Sequence, residues 1–296
     1  MPFFPKIVST FRKHSTAYIL LAPAFIALIL VIYYPMCHGI WIALHRYKML
    51  GHPEWTGLGN FKDLFGDPLF HYSLGITLVF LSSTLALQLL IGLSAALVLN
   101  KIKKFTTFFV STSLVPYMIP PVAAGLLWYW MLNPDFGFVN QILERLGFSP
   151  VYFLSDGKWP IFSIILAEAW ADWPYVTIIY LAALDGIPLY LYEVASIDGA
   201  GPIRRFWFIT LPHLKRATIV VLAIRTVWDL IKFALPFELT AGGPGTRTTL
   251  FSILLHRMGF IEFRLGKAYA VGIVMILISI ACAAIYINVI RTEEKF

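Results

Sequence analysis

Charge is scarce in this sequence: Asp, Glu, Lys and Arg make up only 13% of its 296 residues, against roughly 25% in ordinary soluble domains. With 59% hydrophobic residues, the chain has more apolar side chain than a soluble fold has interior to hold, so a water-soluble protein is excluded. Cysteine is nearly absent. Cys37 and Cys282 have no paired spacing, which excludes a disulfide framework or a cysteine metal site. Both lie in or beside apolar runs and are expected to be buried, inert thiols. No run of Gly, four residues, then Gly-Lys-Ser/Thr occurs anywhere, so the chain has no phosphate-binding loop of its own. His38, His45 and His71 lack metal-ligand spacing, and no triad or carboxylate pair is placed for hydrolysis. No catalytic residue and no metal are therefore expected. The surplus of +7 is spread in short clusters between apolar runs, which argues against nucleic acid as a partner.

What is abundant is apolar run. No charged residue occurs between Lys13 and Arg46, from Tyr72 to Asn100, from Phe105 to Pro134, or from Ala268 to Ile290. Each exceeds the roughly 20 residues a helix needs to cross a bilayer, and all are too continuous for barrel strands. Two further stretches, about Trp159–Leu184 and Ala217–Thr240, are apolar with internal charges. The predicted fold class is all-α: a polytopic integral membrane protein with six crossings and one membrane domain over 1–296. Its first helix spans 16–44, its core runs from about 72 to 290, and the loop 185–213 joins helices four and five.

Lys6, Arg12 and Lys13 precede the first run, and no small-x-small cleavage site follows it, so a retained helix with a cytoplasmic N-terminus is expected. On that orientation both termini are cytoplasmic. Twelve basic residues then fall inside and nine outside, with Arg225 and Lys232 within a span, a modest bias in the usual direction. Tyr33, Tyr34, Trp128–Trp130 and Trp159 are read as interfacial anchors.

The loop between helices four and five reads Tyr190-Leu-Tyr-Glu-Val-Ala-Ser-Ile-Asp-Gly-Ala-Gly-Pro-Ile-Arg-Arg-Phe-Trp-Phe-Ile-Thr-Leu-Pro212. Residues 190–197 can form a short helix, which Gly199 can end with a left-handed turn. The spacing of Glu193, Ala195, Gly199, Ile209, Leu211 and Pro212 resembles the signature loop of inner-membrane permeases of binding-protein-dependent ABC importers. Val194 stands where that signature has its first Ala. Trp55–Pro68 and Leu239–Thr248 look like stretches of the sugar-type permeases, the maltose and glycerol-phosphate group, so the resemblance runs from roughly Trp55 to the C-terminus.

The resemblance implies an inner-membrane subunit that pairs with a second, related permease, two cytoplasmic ATPase subunits and an extracytoplasmic solute-binding protein. ATP and Mg would be used by the ATPases, with no cofactor bound by this chain. The loop would form a coupling helix seated on the ATPase: Glu193 in polar contact, small Ala195 for close approach, Gly199 at the turn, and Val194 and Asp198 in the same contact segment. The solute would be a sugar, polyol or related polar molecule. An ion-driven secondary transporter and a polytopic membrane enzyme are the alternatives.

Charges at membrane depth each cost roughly 2.5–3.5 kcal/mol or more, so they face protein or water. Glu168 and Asp172 are four apart; Arg225, Trp228, Asp229 and Lys232 also fall on one helical stripe. Both stripes are expected to point inward. With Trp170, these residues either border a translocation pathway or form an interhelical ion-pair set that fixes packing.

Overall fold

The computed structural model describes residues 15–47, 51–102 and 106–293. Lys6, Arg12, Lys13, Lys48, Lys103, Lys104 and Lys295, on which part of the charge-bias argument draws, lie outside the described residues.

Every apolar stretch is helical. The first is α1 (Ser15–Leu28), a π-helical turn Ile29–Tyr33 and α2 (Tyr34–Ala43). A two-residue ladder, β1 (His45–Arg46) with β2 (Glu54–Trp55), and the short α3 (Gly59–Phe65) lead to α4 (Pro68–Lys101). Asp67 caps α4, its carboxylate accepting from the Leu69 N–H at 2.8 Å, and Pro68 holds the first helical position, where a missing N–H costs nothing.

The third stretch departs from a single helix. It is broken into α5 (Thr106–Ser113), α6 (Val115–Met118) and α7 (Pro121–Met131). Proline is the cause. Ile119, which precedes Pro120, is extended at φ −73°, ψ 127°, as a residue before proline must be to avoid its ring. After α8 (Phe138–Arg145), α9 (Trp159–Asp185) is continuous, then bends by 68° into α10 (Leu189–Ile197). Next come α11 (Pro202–Arg205), a π-helical turn Phe206–Thr210 and α12 (Leu211–Leu230), together one 29-residue span. This span starts earlier and stops sooner than the expected 217–240; α13 (Ala234–Thr240) is a separate helix. The chain ends with α14 (Phe251–His256), a π-helical turn Arg257–Ile261 and α15 (Leu265–Glu293). Among the described residues, four helical runs are long and apolar enough to cross alone, and the bent pair α9–α10 makes a fifth.

The packing centre is α4 against α9. Gly92 permits it: a Cβ there would stand 2.6 Å from Val176 Cγ1, and Thr177 Oγ1 donates to the Gly92 carbonyl at 3.2 Å. Small residues at such crossings let backbones approach where no hydrophobic effect drives helix association. Gly92→Ala is expected to cost about 1–3 kcal/mol through overpacking, read as a lowered unfolding midpoint in detergent. Val176→Ala in the same chain should restore most of it.

Two smaller expectations fail here. Cys37 is exposed, because α1–α2 turns most of its surface away from the bundle, and Cys282 on α15 is half-buried. Trp128 is core, 8% exposed and edge-on to Trp170 at 5.7 Å, so it is not an interfacial anchor, whereas Trp130 and Trp159 are exposed. Tyr33 and Tyr34 are exposed but fall midway along the first span.

Candidate functional site: an exposed loop helix and a buried charge cluster

At one end of the bundle, α10 closes with paired backbone bonds. Gly199 N–H donates to the Ser196 carbonyl at 3.1 Å and Ala200 N–H to the Ala195 carbonyl at 2.8 Å, while Gly199 sits at φ +75°. This is the helix stop that needs a left-handed residue after the cap, here Asp198. The return segment is braced to the helix: Arg205 Nη1 donates to Ser196 Oγ at 2.8 Å, and the Tyr192 hydroxyl lies 3.0 Å from Thr210 Oγ1. Leu191 and Tyr192 pack inward with Ile209, Leu214 and Ala217.

The opposite face of α10 is open. Glu193, Val194, Ile197 and Asp198 are exposed and Ala195 is half-buried; Tyr190, Val194 and Ile197 repeat at helical spacing on that face. Beside it, Ile203, Trp207 and Phe208 are 76%, 59% and 75% exposed and line a shallow cavity of about 720 Å³. The three lie in the first turns of the span Pro202–Leu230, where exposed apolar side chains and a Trp ring suit the membrane surface. Sequence reasoning missed these three residues, although the run Phe-Trp-Phe-Ile over 206–209 was an available signal for two of them.

Deeper in the bundle the two charge stripes meet. The Arg225 guanidinium donates to Asp172 on α9 and Asp229 one turn on, and through Nε to Gln88 Oε1 of α4 at 3.1 Å. Lys232 Nζ lies 3.0 Å from Glu168 Oε2 and 2.8 Å from Asp172 Oδ2. Glu168, Asp172, Arg225 and Asp229 are all less than 5% exposed. Lys232 does not share the helix of Arg225, because α12 ends at Leu230; it reaches the carboxylates from the turn that follows. Three carboxylates thus meet two cations. Among the described residues, Glu168 Oε1 and Arg225 Nη1 are buried without a hydrogen-bond partner.

Glu168, Asp172, Trp228 and Lys232 line a cavity of about 290 Å³ with Tyr117 and Leu235. Trp228, 48% exposed, is stacked with Tyr175 at 6.2 Å, and Tyr175 with Tyr117 at 6.0 Å. Trp170 faces Trp128 and the core instead. Gln88 and Tyr175 were not singled out from the sequence. Gln88 was visible as an amide in the middle of a charge-free run; Tyr175 carried no signal apart from its neighbours in space.

The family model for binding-protein-dependent transport system inner membrane components matches residues 88–292. Two relatives cover nearly the whole chain. The sulfoquinovosyl glycerol transport system permease protein SmoG of Agrobacterium fabrum is 35% identical over 94% of this chain and 91% of its own. The trehalose/maltose transport system permease protein MalF of Thermococcus litoralis is 33% identical over 95% of each. Among solved structures, a bacterial ABC transporter involved in the import of alginate superposes with a TM-score of 0.84 at 26% identity, covering 97% of this chain and 99% of that one. The alginate transporter in complex with its pentasaccharide-bound periplasmic protein gives 0.82, also at 26% identity, with 94% of each chain covered.

Proposed function

This chain belongs to the inner membrane components of binding-protein-dependent transport systems, and on that premise we propose that it forms half of the translocation pathway for a sugar, polyol or related polar solute. It is a multi-pass permease subunit of an ABC importer without ATPase activity of its own. A second, related permease completes the pathway, two cytoplasmic ATPases bind and hydrolyse ATP with Mg, and a solute-binding protein delivers the cargo. The observation that carries this reading is the exposed face of α10, ended by the left-handed turn at Gly199.

The mechanism follows from that face. Nucleotide binding brings the ATPases together and moves the segment that Glu193, Val194, Ala195, Asp198 and Gly199 present to them. Because α10 is packed through Leu191 and Tyr192 onto the same cluster as α9 and α12, the movement reaches the spans that carry the charges. ATP shifts the inward-to-outward equilibrium only by binding one state better.

Within the pathway, Glu168, Asp172 and Lys232 hydrogen-bond hydroxyls of the solute and Trp228 covers its apolar face. Arg225 and Asp229, fully enclosed, hold those groups in place, and Trp170 supports them from the core side. The substrates in the relatives' names, a sulfoquinovosyl glycerol and trehalose/maltose, favour this class. Trp228→Ala in the reconstituted importer should raise the solute concentration for half-maximal uptake about fivefold, the equivalent of losing about 1 kcal/mol of aromatic contact. Trp228→Phe should stay near wild type. An unchanged half-maximal concentration in the alanine variant, measured across a panel of sugars and polyols, removes Trp228 from the pathway.

A further inference from the structure

The end of the bundle away from the coupling loop holds a second polar site. α4 ends beside that loop, where Asn100 Nδ2 donates to Asp185 Oδ1 at 3.0 Å, so its start and the segment before it lie at the far end, and α15 begins there with them. There it meets the close of α2 on a fixed floor. The Gly266 N–H donates to the Tyr47 carbonyl at 3.2 Å, and Asn60 Nδ2 donates to the carbonyls of Ala43 at 2.7 Å and His45 at 2.8 Å. A side chain at Gly266 would collide with the His45 carbonyl and with Asn60.

Over this floor opens a cavity of about 300 Å³ whose charged lining is Arg46, Asp63, Arg264 and Lys267. Three cations face one carboxylate. Lys267 Nζ is 3.3 Å from Asp63 and Arg264 Nη1 is 3.4 Å from Glu262. Arg46 makes no ion pair within 4 Å to a described residue, although Glu54 is opposite it in the strand ladder. Charge of this sign is also the kind that topology disfavours on an outer face, so it needs a separate cause. The exposed rings of Trp41 and Trp55, in contact with His45 at 4.0 and 5.1 Å, set the depth at the headgroups, where amphipathic rings collect.

We propose that this notch binds a phosphate oxyanion at the bilayer surface, with Arg46, Arg264 and Lys267 as its ligands and Gly266 and Asn60 as its rigid base. Guanidinium forks match phosphate oxygens, and the flanking rings of Trp41 and Trp55 put these cations at the depth where phospholipid phosphates lie. A headgroup seated here ties the close of the first span to the start of the last. Only the naming of this face as the outer one rests on the function proposed above; the chemistry of the notch does not.

The test uses the purified importer in dodecyl maltoside and follows its unfolding midpoint. It is titrated with dihexanoyl phosphatidylglycerol, with dihexanoylglycerol, which lacks the phosphate, and with sodium phosphate. The expected result is a saturable rise with the phospholipid and none with dihexanoylglycerol. Arg46→Gln should raise the half-saturating concentration about fivefold, since an exposed ion pair contributes up to about 1 kcal/mol. Asp63→Asn, which removes the competing carboxylate, should lower it. A rise with sodium phosphate that follows the same two variants supports the oxyanion site and gives its source as the solution. Equal rises with both lipids, or a half-saturation that neither variant moves, overturns the proposal.

Discussion

Arg225→Met is expected to cost about 3–5 kcal/mol and to deplete folded protein, because it strands Asp172 and Asp229 as buried carboxylates with their main cation gone. The size of the effect reflects the leftover charges, so removing those as well should restore the fold. In the triple variant Arg225→Met, Asp172→Asn, Asp229→Asn, only Lys232 and Glu168 keep charge, and they already pair at 3.0 Å. Well-packed neutral replacements of a buried ion set are often harmless to stability. Fluorescence-detected size-exclusion chromatography should therefore find the single variant scarce or aggregated and the triple variant near wild-type abundance. Uptake by the triple variant then separates the two roles of the cluster. With Asp172 lining the cavity, uptake should fall although the protein is folded; normal uptake would assign the charges to packing alone.

The second large effect is expected at Gly199. Its φ of +75° is open to glycine but costs a β-branched residue about 1–2 kcal/mol. A Cβ placed there meets nothing within 4 Å, so Gly199→Val acts through the backbone alone. It should undo the stop of α10, misplace Glu193 and Val194, and leave membrane insertion intact. Association with the ATPase should weaken by about five- to thirtyfold for a misfit of that size, with coupled uptake falling at least as far. Gly199→Asn, which tolerates the left-handed region, should retain most of both. Co-purification of the ATPase with each variant reads the order, and equal recovery with valine and glycine would mean that the turn does not position the contact.

The sequence was most informative where one local rule acted alone. The free-running apolar stretches became helices because backbone in hydrocarbon has no other partner. The stop at Gly199 formed because only that residue freely fits its φ. Glu168, Asp172, Arg225 and Asp229 met in the interior because charge at that depth has to find charge. What was not legible involved two elements at once. Length and apolarity over 105–134 gave no account of Ile119, whose extended backbone is dictated by Pro120. Lys232 matched a helical stripe but bonds Glu168 and Asp172 from beyond the end of α12. Gln88 and Tyr175 acquire their roles from neighbours 137 and 50 or more residues away in sequence, as the Gln88–Arg225 bond and the Tyr175–Trp228 stack make plain.

Coupled transport depends on α10 touching the ATPase, and a photocrosslink tests that contact directly. Benzoylphenylalanine at position 197, 85% exposed in the free chain, should form an adduct with an ATPase subunit in native membranes. The same probe at position 152, exposed at the opposite end of α9, should form none. Adducts to the ATPase from position 152 and not from 197 would contradict the assignment of α10 as the coupling helix.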